Sequence, residues 1–183
     1  MEARSILGVV RAQKHDFLNH LQVILGYLQL NKIPEARKYI EEVVFEINRL
    51  SKVNHLYFPE AALTFLVAQN EAVKRGINIE YDIQTDLNMC VLSGDEISAC
   101  LENILAQVIF SLRPPQIASR QIRVNLTEEP GYYACYIEFC PGDPDCIEQE
   151  VRAINDRLAP RKGRAEFQAG GGQGVISLFF PAR

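Results

Sequence analysis

Residues 11–26 read RAQKHDFLNHLQVILG, and this stretch determines how the rest of the chain is organised. Apolar side chains recur here at intervals of three and four residues, which is typical of an amphipathic helix. The sequence predicts one long helix with a broad apolar surface, from about Ala3 to Asn31. The apolar residues on this surface are Val10, Phe17, Leu18, Leu21, Ile24, Leu25 and Leu28.

A polar line runs along another face of the same helix. His15, Asn19 and Gln22 are spaced at i, i+4 and i+7, so they project in one direction, and Arg11 lies one turn before His15. A histidine in the middle of such a line is a candidate nucleophile, because a neutral imidazole nitrogen attacks electrophiles. The alternative interpretation is a solvated surface histidine without a chemical role.

A second helix is predicted to follow after a short turn. Residues 31–34 form the turn. Pro34 suits the start of the second helix, because the N–H that proline lacks is not needed there. The second helix runs from Glu35 to about Asn54, giving an antiparallel αα-hairpin. The first helix is apolar over more surface than one partner covers, so we expect two hairpins to form a homodimeric four-helix bundle. The alternative is that the hairpin packs on the rest of its own chain.

The remaining sequence predicts an α/β domain, and hence an α+β protein overall. Residues 54–59 (NHLYFP) are a candidate linker, which divides the chain into a helical domain at 1–56 and an α/β domain at 59–183. We expect an α/β sandwich with helices on one face of a mixed sheet. The predicted helices are Glu60–Arg75, Ser93 to about Leu112, and Asp145–Leu158. In the first of these, Leu63, Leu66, Val67 and Ala68 are expected to face inward, and Pro114–Pro115 ends the second. The predicted strands are Ile77–Ile83, Gln121–Thr127, Tyr132–Phe139, Arg164–Gln168 and Val175–Phe180.

Composition and charge narrow the classes of function. The chain has 183 residues, of which 48% are hydrophobic and 23% charged, and its net charge of −4 argues against a nucleic-acid partner. It contains no run of about 18 apolar residues, so we expect no membrane span and a cytoplasmic location. The five cysteines form no C-x-x-C pair, so we expect reduced thiols, no metal site and no cofactor held by the chain itself.

The residues around His15 resemble a known phosphoacceptor box. The segment HDFLNHLQVILGYLQL is similar to the box of citrate- and dicarboxylate-type sensor histidine kinases and of the sporulation initiation phosphotransferase B family. The shared pattern is a histidine, an acid, an aromatic or aliphatic residue, any residue and an asparagine, which His15, Asp16, Phe17, Leu18 and Asn19 satisfy. Both families dimerise through a four-helix bundle, so the resemblance implies the same for this chain.

The α/β domain resembles the ATP-binding domain of the histidine kinase, gyrase and Hsp90 superfamily over residues 59–181. In active kinases one helix carries two asparagines four residues apart, with an acid just before the second. The matching helix here, DEISACLENILAQV, keeps Asn103 at the first position, but Gln107 replaces the second asparagine and Ala106 replaces the acid. These two replacements remove groups that hold Mg²⁺ and phosphate in the kinases.

The other nucleotide motifs are altered as well. The D-x-G-x-G box corresponds to Glu138–Gly142, where Glu138 replaces the adenine-recognising aspartate and Cys140 replaces the first glycine. Only Asp143 and Pro144 separate this box from the next helix, so the lid and the phosphate-binding glycines are missing. The glycine-rich run at residues 170–174 lies between two strands and is interpreted as a hairpin turn, because a phosphate loop should open a helix. The domain is therefore expected to lack a competent ATP site.

Taken together, these resemblances imply a phosphotransferase that relays a phosphoryl group between response regulators without using ATP. His15 is the expected nucleophile, Asn19 and Arg11 are candidates to orient the ring or contact the phosphoryl group, and Asp16 is the acid that follows the histidine. Mg²⁺ is expected to come from the receiver domain of the partner regulator. Two alternatives remain open: an ATP-dependent sensor histidine kinase core, and a non-catalytic dimeric scaffold that binds regulators.

Overall fold

The computed structural model describes residues 3–113, 120–142 and 144–183. The chain separates into two units, Met1–Lys52 and Val53–Arg183. The predicted helix end at Pro114–Pro115 and the junction residue Asp143 lie outside the described residues. Within the described ranges, no helix is long and apolar enough to cross a membrane.

The first unit is a helical hairpin built from α1 (Ala3–Gln29) and α2 (Ile33–Val53). Helix α1 is 27 residues long and therefore spans about 40 Å. It ends slightly earlier than predicted because Asn31 adopts a left-handed conformation with φ of 56°, which asparagine tolerates at helix ends. Helix α2 begins at Ile33, so Pro34 lies in its first turn, where its missing N–H is not needed. The predicted αα-hairpin is confirmed.

The second unit is a layer of helices on a five-stranded sheet. The sheet has the order β1-β2-β3-β5-β4, with β1 and β2 parallel and the other neighbours antiparallel, so it is mixed as predicted. Its elements in chain order are α3 (Pro59–Val73), β1 (Asn78–Ile83), α4 (Gly94–Ser111), β2 (Gln121–Glu129), β3 (Tyr132–Phe139), α5 (Pro144–Leu158), β4 (Arg164–Gly170) and β5 (Gln173–Pro181).

The core lies between the sheet and the helices. Val124, Ile137 and Ile176 are buried and stand opposite one another on three adjacent strands. On each strand, the residues directly before and after these three are more exposed, because side chains alternate between the two faces of a strand. Helix α4 covers this face with its predicted apolar set, all of it buried: Ile97, Leu101, Ile104, Leu105 and Val108.

Helix α3 turns a different face inward from the one predicted. Its buried residues include Phe65 and Ala68, whereas Leu63, Leu66 and Val67 are only half-buried. The buried hydroxyl of Thr64 explains part of the difference, because it hydrogen-bonds Ser98 of α4 across 2.7 Å and so holds that face against α4. A buried hydroxyl needs such a partner to avoid a desolvation cost.

Two local signals fix the ends of elements in this unit. Ser93 caps α4: its hydroxyl accepts from the Glu96 N–H, and the Glu96 carboxylate accepts from the Ser93 N–H, which is a capping box. Gly170 pairs with Gln173, so Gly171 and Gly172 form a two-residue turn with φ of 62° and 81°. Positive φ at both positions is the type I′ hairpin turn. The prediction that the glycine-rich run is a hairpin turn is confirmed.

Candidate phosphoacceptor site

His15 projects into solvent from the first half of α1, and two neighbours on the same helix contact its ring. Its side chain is 73% exposed. Nδ2 of Asn19 lies 3.0 Å from Nδ1 of His15, and an Asp16 carboxylate oxygen lies 3.5 Å from the same nitrogen. The structure therefore brings together three of the residues singled out in the sequence, His15, Asp16 and Asn19.

These two contacts leave the other ring nitrogen facing outward. Nε2 of His15 hydrogen-bonds none of the residues that the structure describes. At Nδ1, Asp16 accepts a hydrogen bond when this nitrogen is protonated, and the Asn19 amide donates when it is not. Protonation at Nδ1 leaves the lone pair of a neutral imidazole on Nε2, the atom that is open to an incoming group.

Arg11 and Gln22 lie on the same line but do not contact His15. Both side chains are exposed, and neither hydrogen-bonds the imidazole within the described part of the chain. Arg11 is one helical turn before His15, so its guanidinium is within reach of an anionic group bound there. The site as it stands is an exposed imidazole with one ring nitrogen engaged and a cation nearby.

The apolar surface of α1 is largely uncovered within this chain. Among the residues of the hairpin whose side chains are described, only Val9, Ala36 and Val53 at the end of α2 are buried. At about 100° per residue this apolar surface lies on one side of the His15 line, and the α2 side of α1 lies on the other. Its exposed residues, between 46% and 56% accessible, are Val10, Phe17, Leu18, Leu21, Leu25 and Leu28.

One contact near His15 was not anticipated from the sequence. Nδ1 of His20 lies 2.9 Å from the hydroxyl of Tyr39, which joins α1 to α2. His20 is half-buried between the two helices of the hairpin. The two residues are 19 positions apart, so no local spacing rule could have paired them.

The altered nucleotide motif on α4 is engaged in contacts within the second unit. Gln107 is half-buried, and its side-chain oxygen accepts a hydrogen bond from the thiol of Cys146 in α5 across 3.6 Å. Asn103 is half-buried, whereas Ala106 is exposed and has no oxygen with which to ligate a cation. The side chain that replaces the second asparagine thus joins α4 to α5.

Glu138, which the sequence matches to the adenine-recognising aspartate, lies on the exposed face of β3. In β3 the flanking residues Ile137 and Phe139 are buried against the helices, and Glu138 is exposed on the opposite face. Phe139, at the C-terminal end of the central strand β3, has its ring stacked on Phe167 at 6.3 Å between centroids.

Two buried cysteines of the second unit have thiols with raised pKa values. Burial raises the pKa of the Cys135 thiol to about 12 and that of the Cys100 thiol to about 11. Thiols with such values are not nucleophilic near neutral pH, because the thiolate is the reactive form. The part of the chain that the structure describes contains no group of three or more His, Cys, Asp or Glu residues able to hold a metal ion.

Solved structures share this fold. The histidine kinase AdeS of Acinetobacter baumannii superposes with a TM-score of 0.55 at 10% identity, covering 92% of this chain and 98% of that chain. A histidine kinase from Burkholderia phymatum gives a TM-score of 0.53 at 10% identity, covering 100% of this chain and 99% of that chain. At 10% identity these likenesses show a shared fold, that of solved histidine kinases.

Sequence comparison specifies the family of the helical part. Residues 1–56 match the family model of the SpoOB-type sensor kinase α-helical domain. Sporulation initiation phosphotransferase B of Bacillus subtilis is 34% identical over 61 residues, which are 33% of this chain and 32% of that protein. The sensor protein CitS of Halalkalibacterium halodurans is 24% identical over 135 residues, covering 68% of this chain and 24% of that protein. These matches span about a third or less of either relative, and the match to the SpoOB-type family model covers the helical domain, residues 1–56.

Proposed function

We propose that this chain is a histidine-dependent phosphotransferase that relays a phosphoryl group between response-regulator receiver domains in a sporulation-type phosphorelay in the cytoplasm. The observation that carries the proposal is the exposed His15 on α1, with Nδ1 engaged by neighbours and Nε2 open. This histidine lies in the segment that matches the SpoOB-type helical domain.

The transfer is a pair of displacement steps at phosphorus. Nε2 of neutral His15 attacks the phosphorus of an aspartyl phosphate; the N–P bond forms, the P–O bond breaks, and the aspartate leaves as a carboxylate. In the second step the aspartate of another receiver attacks phospho-His15 and takes the group. Asp16 holds the Nδ1 proton during the first step, so the lone pair stays on Nε2. Asn19 restrains the ring in the other tautomer, in which its amide donates to unprotonated Nδ1, and Arg11 interacts with the phosphoryl oxygens.

The receivers would contribute most of the electrostatic stabilisation. The described residues of this chain offer no cluster of metal ligands near His15. Mg²⁺ carried by the acidic pocket of a receiver would neutralise charge on the phosphoryl group in either direction of transfer. The chain itself then supplies a nucleophile at a fixed place on a rigid helix, and catalysis depends on positioning.

The proposal includes a homodimer through a four-helix bundle. The uncovered surface of α1 is larger than a soluble helix normally leaves to water, because Leu18, Leu21, Leu25 and Leu28 are each about half exposed. A second copy presents the same surface, so a two-fold axis would bury both at once. In such a bundle the His15 line would stay on the outside, since it lies off the apolar surface.

We also propose that the second unit does not use ATP. Support comes from Gln107, which is bonded to Cys146, and from Glu138, which faces away from the helices. Phosphoryl transfer from ATP needs Mg²⁺ and donors placed around the phosphates. Ala106 offers no ligand. Phe139, which lies within the altered D-x-G-x-G box, forms an apolar stack with Phe167.

The deciding experiment offers the protein three phosphoryl sources in parallel. We expect label from an isotopically phosphorylated receiver to appear on the protein in an acid-labile, base-stable N–P linkage, mapped by mass spectrometry to the His15 peptide. Label from ATP and Mg²⁺ without a receiver would identify a sensor kinase core, the alternative that the CitS match favours. A stable receiver complex without any label would identify a scaffold. Acetyl phosphate alone serves as the control for non-specific phosphorylation.

A further inference from the structure

Tyr39 of α2 occupies a specific place between two residues of α1. Its hydroxyl lies 2.9 Å from Nδ1 of His20, and its ring lies 5.9 Å from the His20 ring and 6.1 Å from the Tyr27 ring, between centroids. His20 and Tyr27 are seven residues apart, so they lie on one face of α1 about two turns apart. Tyr39 is therefore inserted between them in the manner of a knob in a helix packing interface.

This contact constrains α1 more tightly than the apolar contacts around it. Among the hairpin residues with described side chains, only Val9, Ala36 and, at the end of α2, Val53 are buried, and apolar packing is non-directional. A shift of one residue along a helix moves a side chain by about 1.5 Å and turns it by about 100°. Such a shift would break a 2.9 Å hydrogen bond, because these bonds weaken steeply with distance and angle.

The rotation of α1 decides where His15 points. His15 precedes His20 by five positions, which places it about 7.5 Å away along the axis and about 140° around it. Because a continuous helix transmits rotation, fixing the direction of His20 toward α2 fixes His15 on the outward side. We propose that His20 and Tyr39 are positioning residues for phosphoryl transfer, whose hydrogen bond holds α1 in the rotation that presents His15 and Asn19 to the receiver. This proposal rests on the proposed function of His15.

The test uses variants that separate the hydrogen bond from the packing. Tyr39→Phe removes only the hydroxyl and keeps the ring between His20 and Tyr27. His20→Asn places a polar atom near the position of Nδ1, whereas His20→Gln places one near the position of Nε2. If the Nδ1 bond positions α1, kcat for transfer from a phosphorylated receiver falls about three- to tenfold in Tyr39→Phe and His20→Gln, the effect of one hydrogen bond. KM changes little, and His20→Asn restores most of the rate.

The controls make each outcome decisive. An unlabelled wild-type protein overturns the proposed function and this proposal with it. A labelled wild type with an unchanged kcat in Tyr39→Phe overturns the positioning role alone. Circular dichroism and light scattering establish that the variants keep their helix content and oligomeric state. Should Tyr39→Phe fail to fold, the His20→Asn and His20→Gln pair decides: equal losses of kcat overturn the proposal, and a loss in His20→Gln alone supports it.

Discussion

The thiol of Cys146 in α5 donates a hydrogen bond to the side-chain oxygen of Gln107 in α4, across 3.6 Å. Gln107 stands where the resembling kinases carry the second asparagine of their nucleotide helix. Its oxygen is used to join two helices of the same unit, and the neighbouring Ala106 has no ligand atom. We therefore expect no binding of ATP with Mg²⁺ tighter than a dissociation constant of about 1 mM by calorimetry.

A back-substituted variant makes that prediction sharper. Ala106→Asp with Gln107→Asn restores the acid and the second asparagine on α4. We expect this variant to remain unable to bind ATP, because Phe139 of the altered D-x-G-x-G box still stacks on Phe167. Saturable heat with a dissociation constant below about 1 mM in the wild type would contradict the first expectation. The same result in the double variant alone would contradict the second.

Substitutions on the polar line of α1 should separate the nucleophile from its neighbours. His15→Ala should abolish label from a phosphorylated receiver and leave the unfolding free energy within about 0.5 kcal/mol, as for exposed substitutions generally. Asn19→Ala should lower the rate without abolishing it, because it removes a restraint on the ring and keeps Nε2. His20→Ala should still take label on His15. Label on the His15→Ala protein would show that another residue accepts the phosphoryl group.

The dimer prediction is tested by two substitutions at adjacent positions. Leu21→Asp puts a carboxylate on the exposed apolar surface, where it costs little in one chain but several kcal/mol if a second copy buries it unpaired. Light scattering should show the wild type as a dimer and Leu21→Asp as a monomer or an unfolded chain. Gln22→Asp, about 100° further around the helix on the His15 line, is the matched control and should remain a dimer. A monomeric wild type at micromolar concentration would refute the prediction.

The capping box of α4 should make stability depend on pH in the acid range. The Ser93 N–H bonded to the Glu96 carboxylate lowers the pKa of Glu96 from its ordinary 4.5, with smaller contributions from the Ser93 hydroxyl and Arg161. A lowered pKa means that the ionised form is favoured in the folded state. The stabilisation is therefore complete above about pH 4.5 and is lost as pH falls through the folded pKa.

Urea unfolding of wild type and Glu96→Gln measures this contribution. The wild type should be more stable at pH 7, and the difference should shrink as pH falls below about 4. Ser93→Ala should cost about 1 kcal/mol at pH 7, the usual value of an N-cap side chain. A wild-type advantage over Glu96→Gln that persists unchanged at pH 3 would contradict the expected titration of Glu96.

Most of the fold could be predicted because its elements depend on local signals. Periodicity located the helices and strands to within a few residues, the Ser93–Glu96 spacing marked the start of α4, and consecutive glycines marked the last hairpin. The inward face of α3 could not be predicted in the same way. That helix is apolar around most of its circumference, so its orientation depends on the hydroxyl pairing of Thr64 with Ser98 on another element.

The site was predictable to the extent that it lies on one helix. His15, Asp16 and Asn19 are within four positions of each other, and helical geometry alone brings them together. The contact of His20 with Tyr39 depends on the register between two helices, which the sequence does not encode locally. The motif match does not show on which face of β3 Glu138 lies, whereas its alternation with the apolar Ile137 and Phe139 indicates the exposed face.

The position of β5 in the sheet has a consequence for the order in which the chain folds. β5 lies between β3 and β4, and β4 pairs only with β5 among the described strands. During synthesis β4 therefore emerges without a partner and waits until residue 181 has left the ribosome. The helical hairpin has no such requirement, since its contacts are local in sequence and form early. A nascent chain would thus carry a formed His15 helix beside an unfinished sheet whose β3 edge is open, and an open edge is prone to pair with other chains.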